Sequence, residues 1–155
     1  MKGAANASSK LVELDWGECL RLLLQQAVGR VAATVGGQPH IVPVTYAADS
    51  DGDVVFRTGP ETILTKVDLE RVAFEIDGVD EQARTGWSVC IHGVGRDITD
   101  VDDPTSRLLR QKLGESWAPG PRPRWFAIFP REITGRRLQA AAHGDISWFP
   151  GVPWS

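Results

Sequence analysis

Between Arg30 and Thr99 the chain passes repeatedly through a few β-branched or aromatic residues and then meets a turn signal. This rhythm constrains the fold more than any other feature. Arg30 to Val35 reads as a strand, Gly36-Gly37 as a hairpin turn, and His40 to Ala47 as the returning strand. Asp49-Ser50-Asp51-Gly52 turns the chain again, and Asp53 to Thr58 is the third strand. A short helix is expected over Thr62 to Asp68, and "RVAFEID" (Arg71 to Asp77) is the next strand. The loop "GVDEQARTG" then leads into a long strand from Trp87 to Thr99. With Trp125 to Leu138 the count reaches about six antiparallel strands, which predicts a mainly β (α+β) domain built as a barrel or sandwich rather than a parallel sheet.

Helices frame this sheet. Asp15 is placed to cap a leading helix, with Glu18 as its capping-box partner. Trp16, Cys19, Leu20, Leu23, Leu24 and Ala27 recur at helical spacing and predict its core-facing side, with the helix ending near Gly29. Asp102-Asp103-Pro104 starts a second helix that runs to about Lys112. The loop "ESWAPGPRPR" crosses to the last strand, where Pro130 marks an edge or a bulge. Residues 1–10 are expected as a disordered tail, 11–138 as one domain and 139–155 as a C-terminal tail without pattern. The runs "IVPV", "VVF" and "VCI" predict strands apolar on both faces, one face packed inside the barrel and the other against a partner.

Charge and motifs exclude several function classes. The formal charge of −3 argues against a protein that wraps nucleic acid, since that needs a basic field. No apolar run approaches the ~20 residues that would span a membrane, and the N-terminus has no hydrophobic signal core, so a cytoplasmic location is expected. Cys19 and Cys90 belong to no paired motif and read as reduced, buried, small hydrophobes. There is no Walker loop and no GxSxG elbow. "GVGRDI" (93–98) lies inside a strand with Ile98 where a dinucleotide fingerprint needs its third glycine. His40, His92 and His143 are too scattered to predict a metal site. Glu75, Asp77, Asp97 and Asp100 to Asp103 read as strand-edge and capping carboxylates rather than an acid–base pair. If the chain is an enzyme, its chemistry is carried by a cofactor.

One constellation points to such a ligand. The strand "VVFRT" ends in Arg57 and Thr58, Gly59-Pro60 breaks it, and a helix start over Gly59 to Thr62 leads to Lys66. A guanidinium fork, a hydroxyl, free N–H groups at a helix start and a lysine together suit a phosphate. The competing reading is a solvated strand end followed by a surface helix.

The pattern "GRVAATVGGQPHIVPVTYAADSDGDVVFRTGPETILTK...RVAFEID...RTGWSVCIHGVGRDIT", with the closing "SWAPGPRPRWFAIFPREITGRRL", resembles the pyridoxamine 5′-phosphate oxidase-like, FMN-binding split-barrel family. Its actinobacterial and nitroimidazole-resistance-like branches are nearest in pattern. The resemblance runs from about Asp15 to Leu138. It implies a six-stranded antiparallel split β-barrel that forms a homodimer, with FMN in grooves at the interface. It implies that Arg57 and Thr58 meet the FMN phosphate, with Thr62 and Lys66 beside them. Pro43, Val44 and Thr45 would run along the isoalloxazine ring, Trp87 and Ser88 would approach from the long strand, and the loop from Trp117 to Trp125 would close the groove from the other subunit. The chain departs from the family where Ile63 replaces a lysine and Glu61 a glycine; Lys66, one helical turn on, offers a replacement cation.

The resemblance implies a flavoprotein oxidoreductase acting on a small molecule through FMN. The alternatives are a reductase of the same fold using a deazaflavin cofactor, or a non-enzymatic module that stores or senses a flavin or haem. The deazaflavin would need a basic track, for which Arg107, Arg110 and Lys112, or Arg136 and Arg137, are the candidates.

Overall fold

A computed structural model describes residues 9–59, 70–114 and 117–140. Its elements are β1 (Lys10–Glu13), α1 (Trp16–Gln25), β2 (Val28–Val35), β3 (Gln38–Ala48), β4 (Val54–Thr58), β5 (Val72–Asp80), β6 (Thr85–Asp97), α2 (Pro104–Lys112) and β7 (Arg124–Gln139). The expected short helix over 62–68, most of the 1–10 tail and the tail beyond Ala140 lie outside the described residues.

The sheet has seven strands in the order β1-β7-β4-β3-β2-β5-β6, and β6 returns to pair with β7. Six of them therefore close into the expected antiparallel barrel. The seventh, β1, was expected to be mostly tail and domain start; it pairs with the far end of β7, Lys10 opposite Gln139 and Glu13 opposite Arg136. The length of β7 makes this possible: its first half pairs with β4, from Ile128 opposite Val54 to Arg124 opposite Thr58, and its last residues with β1.

Turn chemistry sets the registers. Gly36 and Gly37 both take positive φ, 54° and 80°, and join β2 to β3. The predicted loop over 78–86 is mostly strand. β5 and β6 continue to a tight turn in which the Asp80 carboxylate accepts the Ala83 N–H at 2.9 Å and Arg84 adopts φ 52°. Pro130 lies at the expected bulge: His92 faces Glu132 and Gly93 faces Pro130, so one residue of β7 is unmatched there.

The core fills the barrel. Val31, Val54, Phe56, Phe74, Ile76, Val89, Ile91, Phe126 and Ile128 are buried inside, and α1 adds Cys19, Leu22 and Leu23. Val55 and Ala127 point outward and pack with Ile98 and with Leu109 of α2, so "VVF" is buried on both faces, but its outer face is covered by this chain and not by the expected partner. "IVPV" is not: Ile41 is 71% exposed and Pro43 is also exposed. In "VCI", Val89 and Ile91 are buried and Cys90 only half so, while Cys19 is buried as expected.

Asp15 caps α1 as expected, its carboxylate accepting the Glu18 N–H at 2.8 Å, while the Glu18 carboxylate turns to Arg137 at 3.1 Å. The predicted inner face of α1 needs correction. Trp16 and Leu24 are 55% and 51% exposed and Ala27 is exposed, whereas Leu22 is buried. The helix also stops at Gln25, short of Gly29. The sheet takes over, because the Ala27 carbonyl accepts the Tyr46 N–H at 3.0 Å. Gly29 works inside β2, where a Cβ would sit 2.2 Å from the Phe74 ring. Tyr46, edge-on to Phe74 at 4.8 Å, donates its hydroxyl to the Leu23 carbonyl, one of the unpaired carbonyls of the helix end. No described helix is long and apolar enough to cross a membrane.

Candidate functional site

β4 pairs with β3 only from Ala48 opposite Val54 to Tyr46 opposite Phe56. Beyond Phe56 it stays with β7, while β3 runs on beside β2 alone. The two strands part, and Val42 to Thr45 face Arg57 and Thr58 across a cleft of about 210 Å³. Val28, Trp117, Ala118 and Arg122 complete its lining. The structure thus brings together five of the predicted residues: Pro43, Val44, Thr45, Arg57 and Thr58.

Arg57 is half-buried and held at two points. Its Nε donates to the Arg122 carbonyl at 2.9 Å, and its guanidinium carbon lies 4.7 Å from the Trp125 ring centroid. Its terminal nitrogens are left over. Thr58 is 2% exposed and its hydroxyl donates to the Gly59 carbonyl at 3.1 Å, so its proton is already engaged. Arg122 brings a second guanidinium. Its Nε is buried without a hydrogen-bond partner, which costs ~1–3 kcal/mol unless an acceptor arrives. Among the described residues no ion pair involves Arg57 or Arg122, and the cleft lining has no carboxylate, histidine or cysteine. The arrangement suits a ligand with an anionic end and a flat apolar body. Two guanidinium groups meet the former; Val28, Val42, Pro43, Val44 and Trp117 meet the latter. The cleft is smaller than the ~300–1,000 Å³ of a typical small-molecule site, so one chain encloses only part of such a ligand.

The other predicted residues lie elsewhere. Thr62 and Lys66, with Glu61 and Ile63, fall outside the described residues, as does His143. The Trp87 indole lies over Gly78 of the facing strand, where a Cβ would come within 2.7 Å of it. Trp87 lines a second cavity, about 650 Å³, with Val79, Asp80, Arg137 and Leu138. Ser88 is buried between the β5 and β7 partners Asp77 and Arg136. Within one chain neither residue reaches the Arg57 cleft. The loop expected to close the groove from another subunit lines its own chain's cleft, through Trp117, Ala118 and Arg122. Arg122 is the residue that sequence reasoning missed. A signal existed: no acidic residue occurs from Ser116 to Arg131, so the arginines there lack local partners. Arg124 finds a distant one, Asp97.

Several of the other charged groups are engaged. Arg30 pairs with Glu75 at 2.9 Å and Asp77 at 3.2 Å. Burial, then Asp77, raises the Glu75 pKa, and Arg30 opposes the rise. His92 faces Glu132 at 3.6 Å on an exposed surface. Of the candidate basic track, Arg107 pairs with Asp102, Arg137 with Glu18, and Arg110 donates to the Ile98 and Val101 carbonyls. Burial raises the thiol pKa of both Cys19 and Cys90, which keeps them protonated and unreactive.

Comparison with known proteins agrees with this architecture. A sequence model of the family "Pyridoxamine 5′-phosphate oxidase" matches residues 15–137. An uncharacterized protein of Mycobacterium tuberculosis is 32% identical over 145 residues, which span 90% of this chain and 93% of that protein. Among solved structures, the chain is similar to the FAD binding protein from Mycobacterium smegmatis, with 29% identity and a TM-score of 0.62 over 84% of this chain and all of that one. It shares its fold with a FAD-binding protein from Mesorhizobium loti, at 22% identity and a TM-score of 0.69 over 85% of this chain and 99% of that one.

Proposed function

The chain belongs to the pyridoxamine 5′-phosphate oxidase family, and on that premise we propose that it is a flavoprotein, an oxidoreductase that works on a small molecule through a bound FMN. The observation that carries this reading is the cleft at the parting of β3 and β4: two arginines, with no carboxylate among the described residues, set against an apolar wall. Flavin binding by two solved relatives of the same fold supports it.

Arg57 grips the phosphate with the terminal nitrogens that Trp125 and the Arg122 carbonyl leave free. Val42 to Thr45 carry the ring along β3, and Trp117, 73% exposed, covers it from the loop. Excluding water from that face is the contribution of these apolar groups. The bound flavin supplies hydride or electron transfer, chemistry that no side chain of the lining offers. A homodimer is part of the proposal. Val28 and Trp117 of the lining are exposed apolar residues, as is Ile41 elsewhere on β3, and the cleft encloses too little for one chain to sequester a flavin. The deazaflavin alternative stands beside it: of its candidate basic track, Arg107, Arg110 and Arg137 already have partners within the chain.

Titration of the purified protein with FMN, followed by flavin fluorescence and the visible spectrum, tests the reading. Saturable binding at micromolar concentration or tighter is expected. Arg57→Ala weakens it about ten- to a hundredfold, the value of one charge-assisted contact. Absence of flavin binding by the unaltered protein overturns the proposal.

A further inference from the structure

Arg122 stands in the loop between α2 and β7, flanked by Pro121 and Pro123. The strand-end pattern does not mark it, and the family resemblance includes it only within the groove-closing loop from Trp117 to Trp125. Prolines on both sides restrict the backbone there and remove two N–H donors. The Arg122 carbonyl accepts the Arg57 Nε–H at 2.9 Å, so this short segment ties the two arginines together. Its side-chain Nε–H is buried and unmatched among the described residues. A guanidinium keeps its proton at any ordinary pH, so such a donor is relieved only by an acceptor, and the described residues supply none. The cleft lining offers no carboxylate to do so. An acceptor with two oxygens in one plane fits the Nε and Nη donors of the fork, and a phosphate ester is such an acceptor.

We propose that Arg122 is a second anion-gripping residue, which with Arg57 clamps the phosphate of a phosphorylated flavin and makes the cleft select that form over unphosphorylated riboflavin. The inference rests on the flavin reading. The shared chemistry is a flavin phosphate ester, carried by FMN or by FAD.

The test compares the unaltered protein, Arg122→Met and Arg122→Lys. Each is titrated with riboflavin, FMN and FAD, and separately with inorganic pyrophosphate, with circular dichroism melting as a check on folding. Arg122→Met is expected to weaken FMN or FAD about ten- to a hundredfold and to leave riboflavin unchanged. Arg122→Lys keeps the charge but not the fork and recovers only part of the loss. A loss with one phosphorylated flavin alone supports the clamp and identifies the phosphate's source. An equal loss for riboflavin and both phosphorylated flavins makes Arg122 a merely structural residue and overturns the proposal, as does unchanged FMN and FAD affinity. If the unaltered protein binds no flavin but binds pyrophosphate through Arg122, the flavin reading falls while Arg122 stands as an anion donor. If it binds neither, both fall.

Discussion

Two places in this protein gather like charges without a counter-ion, and they resolve the problem in opposite ways. In the cleft, Arg57 and Arg122 share a lining that has no carboxylate among the described residues. In the turn before β4, Asp49, Asp51 and Asp53 crowd together, and among the described residues no cation pairs with them. Asp49 is buried, and its Oδ1 accepts the N–H groups of Asp51 at 2.9 Å and Asp53 at 3.0 Å, which shapes the turn. A carboxylate can shed its charge by taking a proton. Burial, then the charges of Asp49 and Asp51, pushes the Asp53 pKa up to about 6. A guanidinium has no such exit. The acidic turn has an exit within the chain, a proton taken up as pH falls through about 6, whereas the basic cleft waits for an anion from outside. Arg30 is the neutral reference: with Glu75 and Asp77 beside it, it has nothing to attract.

The comparison can be broken most severely by giving the cleft its own carboxylate. Ala118→Glu, on the exposed loop, is expected to cut FMN affinity by about a hundredfold, with stability unchanged. Calorimetric titration beside a melting curve checks both halves, and retained affinity would mean that the missing carboxylate is irrelevant. The second expectation concerns the turn. The folded Asp53 pKa of about 6 lies above its ordinary 3.8, so the folded state takes up the proton more readily. The associated stability is fully present below the ordinary value and is lost as pH rises through about 6. Asp53→Asn is therefore expected to raise Tm at pH 7.5 and not at pH 4. Discounted for partial exposure, the gain is about 1 kcal/mol, or a few degrees. Scanning calorimetry at the two pH values decides it. The smallest effect belongs to Arg30. Its side chain is 46% exposed, so a double-mutant cycle between Arg30 and Glu75 should return a coupling of only ~0.2–1 kcal/mol. A larger value would show that the paired arginine is structural in earnest.

Local chemistry accounts for what was legible beforehand. Gly36-Gly37, the caps at Asp15 and Asp103 and the bulge at Pro130 each act through a few adjacent atoms, and all are found where the sequence put them. The errors lie where a distant strand overrides a local preference. The apolar spacing of α1 ran past Gln25, but hydrogen bonding to Tyr46 claimed Ala27 for the sheet. The hairpin after β5 looked like a loop because its strands carry glycine and polar residues, and pairing with a neighbour made them strands.

The candidate site divides along the same line. The sequence by itself determined the strand periodicity, an antiparallel barrel or sandwich, and Arg57 with Thr58 at a strand end, because these follow from residues close together in the chain; the barrel itself was implied by the family resemblance. Only the tertiary structure decided that β3 and β4 part after Phe56, that Trp87 lies over Gly78, and that Arg122 comes to lie beside Arg57 from 65 residues away. Which charge goes unpaired is a property of whole surfaces brought together, and no short stretch of sequence encodes it.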